Sequence, residues 1–216
     1  MCPECWEAAD ARPERRCVTC DEPLSDEWAS ACGRCLLHPP PFAALRAAAL
    51  YRGPAREILL AFKFRGADYL ARHLAARMAL RLVPAEDPAR VTCVPSTRRF
   101  ARRADHAAEL LAAAVAHRLR LPFEPRLLEK VRETERQSRL PLSRREANVR
   151  GAYRARGRCP GSVLLVDDVA TSGATARECA RRLRGAGASS ITVWCFARAS
   201  RRDVDLDTAA TGAPEG

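Results

Sequence analysis

The stretch that most constrains this chain is Val163-Leu164-Leu165-Val166-Asp167-Asp168-Val169-Ala170-Thr171-Ser172-Gly173-Ala174-Thr175. Four consecutive aliphatic residues are the pattern of a strand buried on both faces of a parallel sheet, which points to an α/β fold. Two carboxylates stand where that strand is expected to end. Hydroxyls, a glycine and an alanine then lead into Ala176-Arg177-Glu178-Cys179-Ala180-Arg181-Arg182-Leu183, which reads as a helix. Strand, acidic pair, small-residue loop and helix N-terminus together suit a sugar phosphate. Backbone N–H groups and the positive end of the helix dipole can hold the phosphate, and the carboxylates can accept hydrogen bonds from two ribose hydroxyls. A capped strand-to-helix turn explains one acid. It does not explain two adjacent acids followed by Thr-Ser-Gly-Ala-Thr. Neighbouring side chains on a regular strand face opposite ways, so both acids reach one sugar only if the chain turns at Asp167–Asp168.

The stretch resembles the phosphoribosyl-pyrophosphate (PRPP) loop of type I phosphoribosyltransferases. The resemblance implies that Asp167 and Asp168 grip the ribose, with Mg²⁺ held nearby through water. It also implies that Val169, Ala170, Thr171, Ser172, Gly173, Ala174 and Thr175 wrap the 5′-phosphate, Ser172 standing where threonine is commoner.

Six of the ten cysteines fall in the first 35 residues as Cys2/Cys5, Cys17/Cys20 and Cys32/Cys35, with 11 residues between successive pairs. Paired thiolates at two-residue spacing suit tetrahedral zinc, and a reducing compartment disfavours disulfides. Cys17, Cys20, Cys32 and Cys35 make a complete four-sulfur set in a short polar segment, 1–38, that needs metal to fold. Cys2 and Cys5 make half a set: an orphaned half-knuckle, half of a site completed across a homodimer, or the sign of a start further upstream. Cys93, Cys159, Cys179 and Cys195 lie singly and read as core or incidental thiols.

The chain carries a formal charge of +11, but only Lys63 and Lys130 of its 37 basic residues are lysines. Thirty-five arginines amid abundant alanine fit high-GC coding as well as selection for nucleic acid, so DNA contact is weakly supported. No stretch is apolar enough to span a membrane and no signal peptide is evident, so a cytoplasmic protein is the default.

His38-Pro39-Pro40-Pro41 reads as a stiff linker into a second domain, 42–199. There, 42–51 is expected to be a strand or hairpin, 54–64 and 68–82 helices, 91–95 a second buried strand, 101–118 a helix and 190–197 a last strand. Lys63 closes the first helix, either snorkelling to solvent or contacting a phosphate. Ser96-Thr97-Arg98-Arg99 follows the second strand at the sheet edge where ligands bind, and Arg98 is a candidate pyrophosphate clamp. Residues 129–153 are charged and too poor in apolar residues for the core. They read as a lid carrying Gln137, Arg145 and Asn148. Residues 200–216 form a polar tail expected to be disordered.

The combination of cysteine knuckles, Tyr51-Arg52-Gly53, Lys63-Phe64-Arg65-Gly66, the Val94-Pro95 turn, Asn148-Val149-Arg150-Gly151-Ala152-Tyr153 and the PRPP loop resembles the ComF/GntX family of competence proteins. That resemblance implies a type I phosphoribosyltransferase-like, mostly parallel sheet flanked by helices and preceded by a zinc-ribbon module. It also implies displacement of pyrophosphate from PRPP, with Asp167, Asp168 and Arg98 at the reacting centre and Ser96, Thr97 and Lys63 beside them. The alternative it carries is an accessory protein of DNA uptake whose zinc module docks a helicase-like partner or DNA. No acceptor pocket stands out.

Overall fold

A computed structural model describes residues 3–10, 15–84, 87–96, 106–135 and 140–199 of the 216. The centre is a parallel four-stranded sheet of β1 (Ala44–Leu50), β2 (Arg90–Cys93), β5 (Gly161–Ala170) and β6 (Ala188–Arg198), in the order β1-β6-β5-β2. β5 and β6 occupy the middle because both faces of each are apolar: Val163 to Val166 and Ile191 to Ala197 are all buried. β1 is built on alanines, which have little intrinsic preference for strands, and is held from outside. The Leu45 N–H donates to the Thr19 carbonyl (2.8 Å) and the Ala47 N–H to the Asp21 carboxylate (2.9 Å). The cysteine-bearing segment thereby covers that sheet edge. Asp21 adopts φ 61°, a left-handed conformation that aspartate tolerates better than most residues.

Two layers cover the sheet. On one face α1 (Pro3–Asp10), α3 (Gly53–Phe64), α4 (Leu70–Arg81) and α5 (Ala107–Leu119) pack Ile58, Leu59, Phe62, Leu74, Met78 and Leu111 against Leu164, Val166, Trp194 and Phe196. On the other, α7 (Ala174–Gly185) packs Cys179, Ala180 and Leu183 against Val163, Leu165, Val193 and Cys195. The crossovers into and out of β5 therefore use helices on opposite faces. The carboxyl ends of β5 and β2 lie side by side, where open α/β sheets place ligands.

Several expectations change. The strand does not stop at the acids: β5 runs through Asp167 and Asp168 to Ala170, because β6 offers pairing partners as far as Arg198. Within 1–38, the first helix packs on the main core rather than on the cysteine knuckle. Pro3–Asp10 is a helix whose Trp6 meets Phe196 edge-on at 6.5 Å and lies under Arg77, tying it to the main core. Residues 129–153 contribute to the second core through Val149, Ala152 and Tyr153. They include α6 (Leu142–Val149), and the antiparallel pair β3 (Leu128–Lys130) and β4 (Tyr153–Ala155) brackets them. Glu178 of α7, itself buried, accepts the Gly151 N–H at 3.0 Å and fixes this segment to the helix. Cys93, Cys159, Cys179 and Cys195 are buried, as core thiols should be. Among the described residues no helix is long and apolar enough to cross a membrane. Residues 200–216 lie outside the described part.

Candidate functional site

Alternation along β5 assigns Asp168 to the face of Leu164 and Val166, and Asp167 to the face of Val163 and Leu165. On the Asp168 side α3 ends its last turn with Lys63, whose Nζ lies 2.7 Å from Asp168 Oδ2. Asp168 Oδ1 accepts the Val169 N–H at 2.6 Å, and Asp167 Oδ1 accepts the Asp168 N–H at 2.9 Å. Each carboxylate keeps lone pairs for another donor. Burial and the adjacent Asp168 charge push Asp167 up to about 7, against the pull of Lys63. For Lys63, burial disfavours the charge, but Asp168 and then Asp167 outweigh it and raise the pKa. Lys63 is thus not a free snorkelling lysine. It is the counterion of the acidic pair.

Beyond Ala170 the chain turns through Thr171, Ser172 and Gly173 into α7. Gly173 sits at φ 73°, a conformation glycine adopts without strain, and serves as the N-cap residue. Ser172 Oγ accepts the Ala174 N–H at 3.3 Å. The first-turn amides of α7, including those of Thr175 and Ala176, have no intrahelical partner and bear the positive end of the helix dipole. An acidic pair, a glycine turn and the first-turn amides of a helix follow one another within nine residues, 167–175. That arrangement can hold a polyol by its hydroxyls and a phosphate by its oxygens.

The Sγ atoms of Cys17, Cys20, Cys32 and Cys35 all lie within 4.8 Å of one another, and those of Cys20 and Cys32 within 3.6 Å. Four sulfurs at about 2.3 Å from a tetrahedral ion stand about 3.8 Å apart, so the set fits a metal with little movement. The Cys32 N–H donates to Cys17 Sγ at 3.3 Å. Burial opposes the Cys17 thiolate, but this and neighbouring N–H donors prevail and lower its pKa to about 7. Those four cysteines could hold a metal by themselves. Cys2 and the side chain of Cys5 lie outside the described residues.

Of the remaining expected site residues, Ser96 lies just past β2, while Thr97, Arg98 and Gln137 fall outside the described part. Arg145 is 1% exposed and donates to the Leu140 carbonyl at 2.9 Å. Asn148 clasps the Glu135 backbone, donating to its carbonyl (2.9 Å) and accepting its N–H (3.1 Å). Both brace the 129–153 segment from within. Sequence reasoning missed three arginines between the knuckle and the loop. Arg34, on the short helix α2 (Gly33–Leu37), donates to the Ser172 carbonyl and to Glu146 of α6, which it holds below the usual carboxylate range. Arg177 donates to the His38 carbonyl at 2.7 Å, and Arg198 pairs with Glu22 at 2.6 Å. Nothing in their local sequence separates them from the other arginines. An apolar cleft of about 560 Å³ between α1, α3 and α4, lined by Trp6, Ile58, Tyr69 and Leu70, shares no residue with this site.

No family model matches the chain. It is 25% identical to the glutamine PRPP amidotransferase of B. subtilis over 63% of its own length and 30% of that enzyme's, with a TM-score of 0.45. With the orotate phosphoribosyltransferase of Aeropyrum pernix the identity is 19%, the coverage 74% and 76%, and the TM-score 0.31. Competence protein F of Haemophilus influenzae is 29% identical over 210 residues, 92% of this chain and 90% of that one. DNA utilization protein YhgH of Salmonella typhimurium is 32% identical over 206 residues, again 92% and 90%. With that identity spread along almost the whole of both chains, the protein belongs to the YhgH/ComF family of DNA-utilization and competence proteins.

Proposed function

We propose that the protein binds Mg-PRPP and transfers its phosphoribosyl group to a nucleophile with release of pyrophosphate. The observation that carries this reading is the succession of acidic pair, glycine turn and helix N-terminus at the carboxyl edge of β5, with Lys63 against Asp168. Although β5 does not turn at the acids, each carboxylate folds forward onto the next backbone N–H and the two carboxyl groups interact. At this strand edge Asp167 and Asp168 accept the ribose 2′- and 3′-hydroxyls, and the amides and hydroxyls of Thr171 to Thr175 take the 5′-phosphate. Bound Mg²⁺ supplies charge neutralisation on the pyrophosphate. Ser96, Thr97 and Arg98, which follow β2 in the sequence, would take the leaving pyrophosphate. The C1–O bond to pyrophosphate breaks with its electron pair on the leaving group, and the acceptor forms the new bond to C1 and loses its proton. The chain's contribution is positioning and leaving-group stabilisation. The 129–153 segment, which carries Gln137, Arg145 and Asn148, would close over the site. Zn²⁺ on Cys17, Cys20, Cys32 and Cys35 is structural. A homodimer joined through Cys2 and Cys5 would add half a metal per chain to that supplied by the knuckle.

The test is calorimetric binding of Mg-PRPP, then pyrophosphate release across a panel of bases and amines. Asp168→Asn should weaken PRPP binding at least tenfold; unchanged affinity would remove the ribose assignment. A second reading is favoured by the relatives' names, DNA utilization and competence. In it the site binds PRPP without turnover, and the knuckle docks a helicase-like partner or DNA during uptake. Binding without pyrophosphate release under every acceptor would select it.

A further inference from the structure

Three arginines join the cysteine knuckle to the phosphate loop, and each approaches from a different element. Arg34 lies between Cys32 and Cys35 and holds the loop from outside, by the Ser172 carbonyl. Arg198, 3% exposed at the end of β6, lies beneath it: a Cβ placed on Gly173 would stand 3.8 Å from Arg198 Nη1. Its Nη2 is engaged by Glu22, two residues past Cys20, while Nε and Nη1 have no hydrogen-bond partner among the described residues. Arg177, on the first turns of α7 and 7% exposed, directs Nη2 at Cys35 Sγ (3.6 Å) and Nη1 at the His38 carbonyl. These groups line one small crevice with Cys20, Cys32, Ser172 and Gly173.

The electrostatics give the arrangement a purpose. Four thiolates around a divalent metal carry a net charge of −2, which a buried setting must compensate. The cations beside the cluster stand on α7, which the loop enters, and on β6, which pairs with β5 up to the start of the loop. A metal site whose outer partners are also the loop's supports cannot loosen without loosening the loop.

We propose that the knuckle is a clamp for the phosphate loop. Arg34, Arg177 and Arg198 act as positioning residues that couple metal held by the four cysteines to anion binding at Ser172–Thr175. The coupling part rests on the PRPP reading above; the clamp itself does not. Because coupling is reciprocal, an anion in the loop tightens metal binding by the factor by which metal tightens anion binding.

The experiment uses the full zinc-loaded chain. Amide hydrogen exchange is followed for 171–176 and, as an internal control, for 163–166, in the parent, Arg34→Gln and Arg34→Lys. Arg34→Gln should keep its zinc, exchange the loop amides about tenfold faster and leave 163–166 unchanged; Arg34→Lys should fall between. Loop exchange equal to the parent in both variants overturns the clamp. So does faster exchange throughout, 163–166 included, in both variants. Zinc affinity is then measured by chelator competition with and without saturating Mg-PRPP. The parent should bind zinc about three- to tenfold tighter with PRPP present and Arg34→Gln should not; equal affinities overturn the coupling. If the parent binds no PRPP, the ligand reading fails, and the exchange measurement still decides the clamp.

Discussion

Replacing Lys63 by methionine keeps the length and apolar stem of the side chain and removes its charge. The ion pair it breaks is mostly buried, with side-chain exposures of 22% for Lys63 and 12% for Asp168. Removing one partner of a buried pair costs about 3–5 kcal/mol, and partial water access places this pair near the lower end, at about 3 kcal/mol. The acidic pair has a relief route, because burial and Asp168 already raise Asp167 to about 7 with Lys63 pulling it down. Without Lys63 that value rises further, so the pair takes up a proton near neutrality.

The sign follows from proton counting. Asp167 has a folded-state value above its unfolded one, so the native state binds more protons between about pH 4 and 7, and stability falls as pH rises through that window. Lys63→Met widens the window upward. The variant should lose about 3 kcal/mol at pH 8, where both carboxylates tend to be charged, and about half that at pH 5.5, where they share a proton. Urea denaturation at the two pH values measures this, and Lys63→Arg should recover most of the loss. For a chain of this length, about 3 kcal/mol corresponds to a Tm lowered by roughly 6–12 °C. A loss identical at both pH values, or none, would refute the assignment of Lys63 as counterion of the pair.

At pH 7, near the Asp167 midpoint, binding of Mg-PRPP should release about half a proton, seen as a buffer-dependent binding enthalpy that vanishes in Asp167→Asn. Gly173→Ala forces a side chain into the left-handed region and should cost about 1–2 kcal/mol by denaturation while weakening PRPP binding. Cys32→Ser should abolish zinc retention measured by atomic absorption and raise exchange at the Leu45 and Ala47 amides, whose acceptors lie on the knuckle.

The sheet was legible where burial on both faces writes itself as an apolar run. Val163–Val166 and Ile191–Phe196 both became central strands. β1 carries a weaker signal, because its alanines gain their strand conformation from β6 on one side and from Thr19 and Asp21 on the other. Helix α1 was hidden by the Cys2/Cys5 spacing, which suggests a knuckle, while the contact that fixes the segment, Trp6 on Phe196, spans 190 residues of sequence. The acidic pair stood out in the sequence as a candidate site, but its geometry did not. Carboxylates usually mark the end of a strand, and only the length of β6 explains why this one continues. Lys63 stood out by rarity, as one of two lysines, yet its partner lies 105 residues away.

The arginines present the opposite difficulty. A chain with 35 of them contains no compositional signal for the three that bridge knuckle and loop. Burial sets two of them apart, and convergence on the 171–173 turn joins all three. Arg177 and Arg198 are more than nine-tenths buried in a protein whose other arginines are mostly at least partly solvated, and both lie on elements flanking Gly173. Burying a guanidinium with unpartnered N–H groups is costly unless a nearby anion compensates. At this point of the fold stand Glu22, Glu146 and the four clustered cysteines. With metal bound, the knuckle would supply countercharge to the arginines beside the 171–173 turn, while its backbone closes the edge of β1. Both roles require it to be docked on the sheet, so a metal module tethered only by the proline linker would serve neither.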